Sequence, residues 1–566
     1  MPIRLINTAT LSLKEFMGEI PDYAILSHTW VTDEEVTFQE IDGISRDPDH
    51  SATKKSGYHK IRATCETCRG HGFQYVWIDT CCIDKSSSAE LNEAINSMFK
   101  WYENAKTCYV YLADLTAKPS YTESLKHCRW LTRGWCLQEL LAPRDVRFYG
   151  ANWDFIGTKI ELQETLSDLT GIDDDVLNGN TPLHAIPVAR RMSWAARRNT
   201  TRMEDTAYCL LGIFDINMPM LYGEGEKAFL RLQEEIIRRS NDLSIFCHSE
   251  LLAGPLPERE EEEEDASWHS QYQDLFAQSP ADFGLCGNVV AKMSPSLSLD
   301  VFELTNVGLH FKDVSLHLYK ELDERPDGTE VGYQVFGLYG IQLKCSSWPR
   351  RTQCCMYLRK VGPGLYVRVR VNTDFFWQLS DTSNEEIYIL PKITTEIRPR
   401  LDRSHDNAIQ FRLEGALKWC ILGDPVPHDR WDAPTSQFLN FASSSFRGYV
   451  GVRVGSNPFF SEVERINIYV VCGQRPHPFG VWVHLVSEEH LQESIRGFGN
   501  VLLALPSLIA PLKRFPSDLA SLQVSDKRFY AQVRHLPSRS PRFIVTLTCE
   551  YGTGENSPSD SEMGEG

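Results

Sequence analysis

Apolar residues recur with a changing period along the first 175 positions. Tyr23 to Ser27 (YAILS) is a short continuous apolar run of strand length. Tyr58, Ile61, Cys65 and Cys68 recur at helical spacing, and Gly70-His71-Gly72 supplies a stop. Gln74 to Asp79 (QYVWID) predicts a second buried strand. The next helix is strongly marked: Ser87 and Glu90 form a capping-box pattern, and Leu91, Ala94, Ile95, Met98, Tyr102 and Ala105 make one continuous face. Thr107 to Leu112 predicts a third strand, Gly134 to Leu141 a short helix and Val146 to Tyr149 a fourth strand. Strands separated by helices imply an α/β domain with a parallel sheet and helices on both faces.

From about residue 158 the pattern becomes helical, over Lys159 to Leu169, Val188 to Ala196, Arg202 to Phe214 and Glu226 to Arg239. Thr201 and Glu204 read as a second capping box. After about residue 284 the alternation turns to period two, in Gly308 to Leu318, Tyr333 to Leu343, Leu365 to Val371, Tyr449 to Val454, Ile466 to Val471 and Val481 to Val486. This predicts antiparallel β structure in one or two sandwich-like units. The expected organisation is an α/β domain at 1–175, a helical extension at 176–250, an acidic linker at 251–283, β-rich domains at 284–400 and 401–549, and an acidic disordered tail at 550–566.

Composition sharpens this in one respect. The chain has 566 residues and a net charge of −18. Glu258 to Asp265 holds seven acidic residues and Arg259, and Glu550 to Gly566 holds five acidic residues and no basic ones, which leaves −7 elsewhere. A general nucleic-acid binder is excluded, but a local basic pocket is not. No stretch reaches membrane-spanning length, and the N-terminus lacks an apolar segment behind its positive charge, so a cytoplasmic protein is expected. The sixteen cysteines are spread from Cys65 to Cys549, many inside apolar runs, and read as reduced buried thiols. Cys65 and Cys68 form a C-x-x-C with His71 and Cys81-Cys82 nearby, but no second pair follows at zinc-finger spacing; no metal site is expected, and Cys354-Cys355 and Cys472 lie in strand-like runs. Gly223-Glu224-Gly225 lacks the lysine and hydroxyl of a phosphate loop and reads as a tight turn at a helix start.

The ends of parallel strands are where an open α/β sheet places its ligand crevice. Ser27, His28, Thr29 and Trp30 follow the first strand, Asp79, Thr80, Cys81, Cys82 and Asp84 the second, and Asp114 the third. Trp135 to Leu140 (WCLQEL) sets Glu139 among apolar neighbours, where a carboxylate has a raised pKa or is held against a polar ligand.

These residues carry a resemblance. IPDYAILSHTW (Ile20 to Trp30), YVWIDTCCIDKSSSAELNEAINSMFKWY (Tyr75 to Tyr102), CYVYLADL (Cys108 to Leu115) and RWLTRGWCLQELLAP (Arg129 to Pro143) resemble the fungal heterokaryon-incompatibility (HET) domain. Arg191 to Ile236 resembles the helical extension that follows it in many such proteins. Val31 departs from the pattern, which commonly has Gly there. A more distant resemblance links the same pieces, in the same order, to Toll/interleukin receptor (TIR) domains, and implies a TIR-like, flavodoxin-like sheet. In TIR domains that hydrolyse NAD, the Glu of W-C-L-x-E-L is the catalytic carboxylate, which implies that role for Glu139. The resemblance implies NAD as substrate with no cofactor required, and contacts from Ser27 and His28 to ribose or phosphate and from Trp30 to a flat base. Asp79 is either a further contact or, with Asp84, a cap or loop brace. The implied function is an effector of non-self recognition and programmed cell death, active on self-association, with a protein partner or ligand for the β-rich half. The alternative is a non-enzymatic scaffold that recruits cell-death partners.

Overall fold

The computed structural model describes residues 3–47, 49–116, 124–248, 272–291, 301–323, 332–348, 352–370, 378–399, 401, 407–414, 418–439, 446–455, 466–475, 480–498, 518–525, 527–535 and 543–551. The acidic run Glu258 to Asp265 and nearly all of the acidic tail lie outside the described residues. The chain divides into two compact units. The first comprises Met1–Gly254, Leu275–Asn306 and Gln342–Met356, and the second Pro255–Asp274, Val307–Ile341 and Tyr357–Gly566. The α/β segment, the helical segment and two pieces from the β-rich half therefore belong to one folded body.

The first unit is built on a seven-stranded sheet. Its strands are β1 (Ile3–Asn7), β2 (Leu13–Phe16), β3 (Tyr23–His28), β4 (Tyr75–Trp77), β5 (Thr107–Tyr111), β6 (Val146–Tyr149) and β7 (Phe155–Thr158), in the order β2-β1-β4-β3-β5-β6-β7. β4, β3, β5 and β6 run parallel, which matches the four expected strands. The sheet as a whole is mixed, however: β1 is antiparallel to β2 and β4, and β7 is antiparallel to β6. β2 and β7 are edge elements half open to solvent and lack the continuous apolar runs that mark buried parallel strands, whereas β1 is paired on both sides and buries Ile3, Leu5 and Ile6.

The helices of this segment are α1 (Phe38–Arg46), α2 (Ser56–Gly70), α3 (Ser88–Asn104), α4 (Arg129–Thr132) and α5 (Cys136–Leu141). In α2 the expected stripe is buried through Ile61, Cys65 and Cys68, and burial pushes the Cys65 thiol up to about 12. In α3 the Ser87 hydroxyl accepts from the Glu90 N–H, as expected. Glu90 does not return the bond: its carboxylate takes the Asp84 N–H at 2.7 Å and pairs with Arg4 of β1. The capping box is thus half formed because its carboxylate ties β1 to the loop before α3.

The helical segment is more broken than its periodicity suggests. Arg202 to Phe214 resolves into Asp205–Tyr208 and Leu211–Phe214. Glu204 makes no cap, because its Oε1 accepts the backbone N–H groups of Gly223 and Gly225 at 2.7 and 3.2 Å. Those glycines have φ of +105° and +60°, and the turn they form leads into Lys227–Arg239. Docking onto α3 depends on Gly212, where a Cβ would lie 2.1 Å from Phe99 Cβ. Asn96 of α3 also bonds both the N–H and the carbonyl of Met218, each at 3.2 Å.

In the second unit, Leu309–Asp323 pairs antiparallel with residues 332–341 and with Gln378–Ile389, which runs parallel to Leu365–Val369. A six-stranded and a four-stranded sheet share one core, including Phe411, Val450, Val470, Val483, Phe529 and Val545, which is the sandwich-like arrangement expected. Most pairings are antiparallel, but Ile409–Leu413 runs parallel to Phe543–Tyr551. Among the described residues, no helix is long and apolar enough to cross a membrane.

Gly212→Ala should destabilise the first unit by roughly 1–3 kcal/mol, because the new methyl meets a Cβ that cannot rotate away. Thermal unfolding checks this by its sign, since a solvated helical glycine replaced by alanine gains up to about 1 kcal/mol.

Candidate functional site

In the run of parallel strands, sequence order reverses between β3 and β5, and open α/β sheets form their crevice outside the carboxyl ends at such a point. A cleft of about 1060 Å³ lies there. Its lining includes His28, Thr29 and Trp30 after β3, Asp79 and Thr80 after β4, and Arg133 and Glu139. The helical segment adds Asn199, Arg202, Asp205 and Tyr222, which strand-end reasoning did not anticipate.

α5 is covered on every side: Cys136, Leu137, Gln138, Glu139 and Leu140 are all buried. Glu139 lines the cleft, and its residue exposure is 6%. The Ser27 hydroxyl donates to Glu139 Oε2 and accepts from Trp130 Nε1 at 2.6 Å. Burial pushes the Glu139 carboxyl up to about 7, and the Asp79 charge adds to this, while the Ser27 hydrogen bond and Arg133 pull it down. Ser27 itself is fully buried and lies behind the cleft wall, where it positions the carboxylate.

Successive strand residues point to opposite faces, so Ser27 and His28 serve different surroundings. His28 Nε2 stands 3.6 Å from Glu35 Oε2 and 3.7 Å from Asp79 Oδ1. Burial, followed by the Lys60 charge, lowers the His28 pKa and leaves a neutral imidazole at neutral pH. Lys60 is itself held by Glu35 at 2.6 Å. Burial works to raise the Glu35 pKa, but His28 and the Lys60 ammonium outweigh it and bring it down to about 2.

Asp79 accepts from Trp30 Nε1 at 2.9 Å through Oδ2. Its Oδ1, both ring nitrogens of His28 and Thr80 Oγ1 are buried without hydrogen-bond partners. Each such atom costs about 1–3 kcal/mol when left unsatisfied.

The Trp30 ring carries the Lys85 ammonium 3.6 Å and the Arg133 guanidinium 5.0 Å from its centroid, so a flat base stacking there would compete with these cations. Lys55, Lys85, Arg129, Arg133 and Arg202 line the cleft together with Asp33, Glu35, Asp79, Glu139 and Asp205, so charges of both signs meet there in equal number. Val31 also lines it, without a left-handed backbone; the residue of that loop with positive φ is Asp33, at 62°. Asp84 braces its own loop, with Oδ1 accepting the Ser86 N–H at 3.0 Å, and Asp114 accepts the Arg129 N–H at 2.8 Å at the start of α4. Glu35 and Lys60 carried no sequence signal, whereas Arg133 lies inside the RWLTRGWCLQELLAP motif.

Residues 23–122 match the heterokaryon incompatibility protein (HET) family, and residues 227–310 match a domain of unknown function, DUF8212. The chain is also 48% identical over 228 residues to vegetative incompatibility protein HET-E-1 of Podospora anserina. The matched stretch covers 39% of this chain and 16% of that protein. The strands and helices that build the cleft wall from β3 to β5 fall within the region similar to the HET family, and the chain spans only a small part of the length of the relative it matches.

Proposed function

We propose that this protein is an effector of heterokaryon incompatibility whose HET domain kills by hydrolysing NAD. The observation that carries this reading is Glu139: a buried carboxylate at a cleft wall, fixed by Ser27 and titrating near neutrality. The strand order β4-β3-β5-β6 supports it, being the 2-1-3-4 order of flavodoxin-like sheets to which TIR domains are similar. The cations lining the cleft suit the pyrophosphate of a dinucleotide.

In the reaction the bond between nicotinamide and ribose C1 breaks, and its electron pair leaves with the ring nitrogen as neutral nicotinamide. Departure of a pyridinium needs no proton, so one carboxylate suffices where an ordinary glycosidase uses two. Glu139, ionised, holds the ribose hydroxyls and stabilises the oxocarbenium-like charge. Water then adds at C1 and releases a proton, giving ADP-ribose. His28, Asp79 and Thr80 line the cleft and orient the sugar beside Glu139. Self-association switches the domain on, and the β-rich half senses the partner or restrains the effector.

Expression of the whole chain in yeast should deplete NAD and viability together, and Glu139→Gln should lower NAD consumption by roughly 10²–10³-fold. The whole chain is used because residues 275–306 and 342–356 belong to the first unit. Killing that survives Glu139→Gln, or proceeds with NAD undiminished, replaces the enzymatic reading with recruitment by a scaffold.

Activity of the purified protein at high concentration should rise with pH through about 7 as Glu139 ionises. Ser27→Ala removes the bond that favours the carboxylate, so the same rise should move to higher pH; an unmoved profile excludes Ser27 as the positioning residue.

The same carboxyl affects stability. Its folded pKa of about 7 lies above the ordinary 4.5, so ionisation opposes folding, and stability falls as pH rises across that window. Glu139→Gln should therefore stabilise the protein by on the order of 3 kcal/mol at about pH 8 and by little at about pH 4, measured as the difference in unfolding midpoints.

A further inference from the structure

Away from the cleft, the first unit gathers cysteines from distant parts of the chain. Cys247 ends the short 3-10 turn Leu243–Phe246, Cys345 lies near the end of the strand Gly332–Ser347, and Cys354 lies near the start of Thr352–Gly362. All three are buried, and their sulfurs lie within 4.8 Å of one another; among the described residues this is the group of metal-ligating side chains so placed. Cys247 and Cys345, 98 residues apart, approach to 3.4 Å between sulfurs. A disulfide needs roughly 2.05 Å. Four thiolates arranged tetrahedrally around zinc at about 2.3 Å stand roughly 3.8 Å apart, which the observed separation approaches.

A fourth thiol lies nearby, its sulfur outside that 4.8 Å group. Cys286 donates to the carbonyl oxygen of Cys247 at 2.6 Å. It begins the turn Cys286–Asn288, and the following strand Val289–Ala291 pairs with residues 345–347, placing Ala291 opposite Cys345. Gln353 Nε2 donates to the Cys345 carbonyl at 3.1 Å and holds the Cys354 strand alongside. The four cysteines thus come from segments that the backbone itself brings to one corner of the unit.

We infer that Cys247, Cys286, Cys345 and Cys354 bind one structural zinc ion. The chemistry of the donors supports this. Zinc is the borderline-soft divalent ion that all-sulfur tetrahedral sites select, and a closed four-ligand site of this kind is structural. The ion would fasten together the end of the helical segment, the turn before Val289 and the Cys345–Cys354 hairpin.

The test is metal analysis of the whole chain purified under reducing conditions. The expected result is about one zinc per chain, lost in Cys345→Ser/Cys354→Ser. Should that variant fail to fold, cobalt exchange into the parent protein supplies a second measurement, with intense thiolate-to-cobalt charge-transfer bands expected. Cys286→Ser should release zinc to a chelator faster than the parent. Absence of zinc with all four thiols freely alkylated in the folded protein, a Cys247–Cys345 disulfide in non-reducing mass analysis, or iron in place of zinc overturns the inference. Unchanged zinc release in Cys286→Ser excludes Cys286 as the fourth ligand.

Discussion

The Ser27 hydroxyl joins the Trp130 indole to the Glu139 carboxylate, and the position of the cleft follows from that chain of hydrogen bonds. A carboxylate can be kept inside a protein only where specific donors answer it. Here the donor sits near the carboxyl end of the central strand and the acceptor on a helix with no exposed side. Sheet and helix must therefore meet in one register for either group to be satisfied. The apolar residues around them, Leu26, Leu137 and Leu140, supply the packing, but they would tolerate small slips that the polar pair does not.

The two faces of β3 divide the site into parts of different chemical character. On one, Glu139 is near-neutral and free of a cationic hydrogen-bond partner; on the other, Glu35 is firmly ionised against Lys60, beside a neutral imidazole. Carboxylates within one cleft whose surroundings drive their pKa values apart can take separate roles, one stabilising developing charge and one holding a framework. Asp79 belongs to both sets, since its charge raises the Glu139 pKa while it bonds Trp30 and faces His28.

What could be read in advance follows the range of the interactions involved. The buried parallel strands and α3 announce themselves through local period, and Glu139 through the contrast of one charge with five apolar or amide neighbours in WCLQEL. Edge strands β2 and β7 are half solvated and carry a weaker local pattern. Both capping-box patterns mislead for a common reason: Glu90 and Glu204 have better partners outside their own helices, in Arg4 with the Asp84 N–H and in the Gly223–Gly225 turn. Likewise Lys60, Glu35 and the cysteines near Cys354 owe their meaning to neighbours tens of residues away, which spacing along the chain does not encode.

The interrupted make-up of the first unit also sets an order of events during synthesis. Met1–Gly254 contains every residue of the cleft wall, yet the body it belongs to is closed by Leu275–Asn306 and Gln342–Met356. A ribosome making this chain therefore exposes the whole cleft long before it delivers the last strand that completes the fold. The first unit reaches its final packing only once part of the β-rich half has emerged, so completion of the body that carries the cleft depends on the segment that follows it.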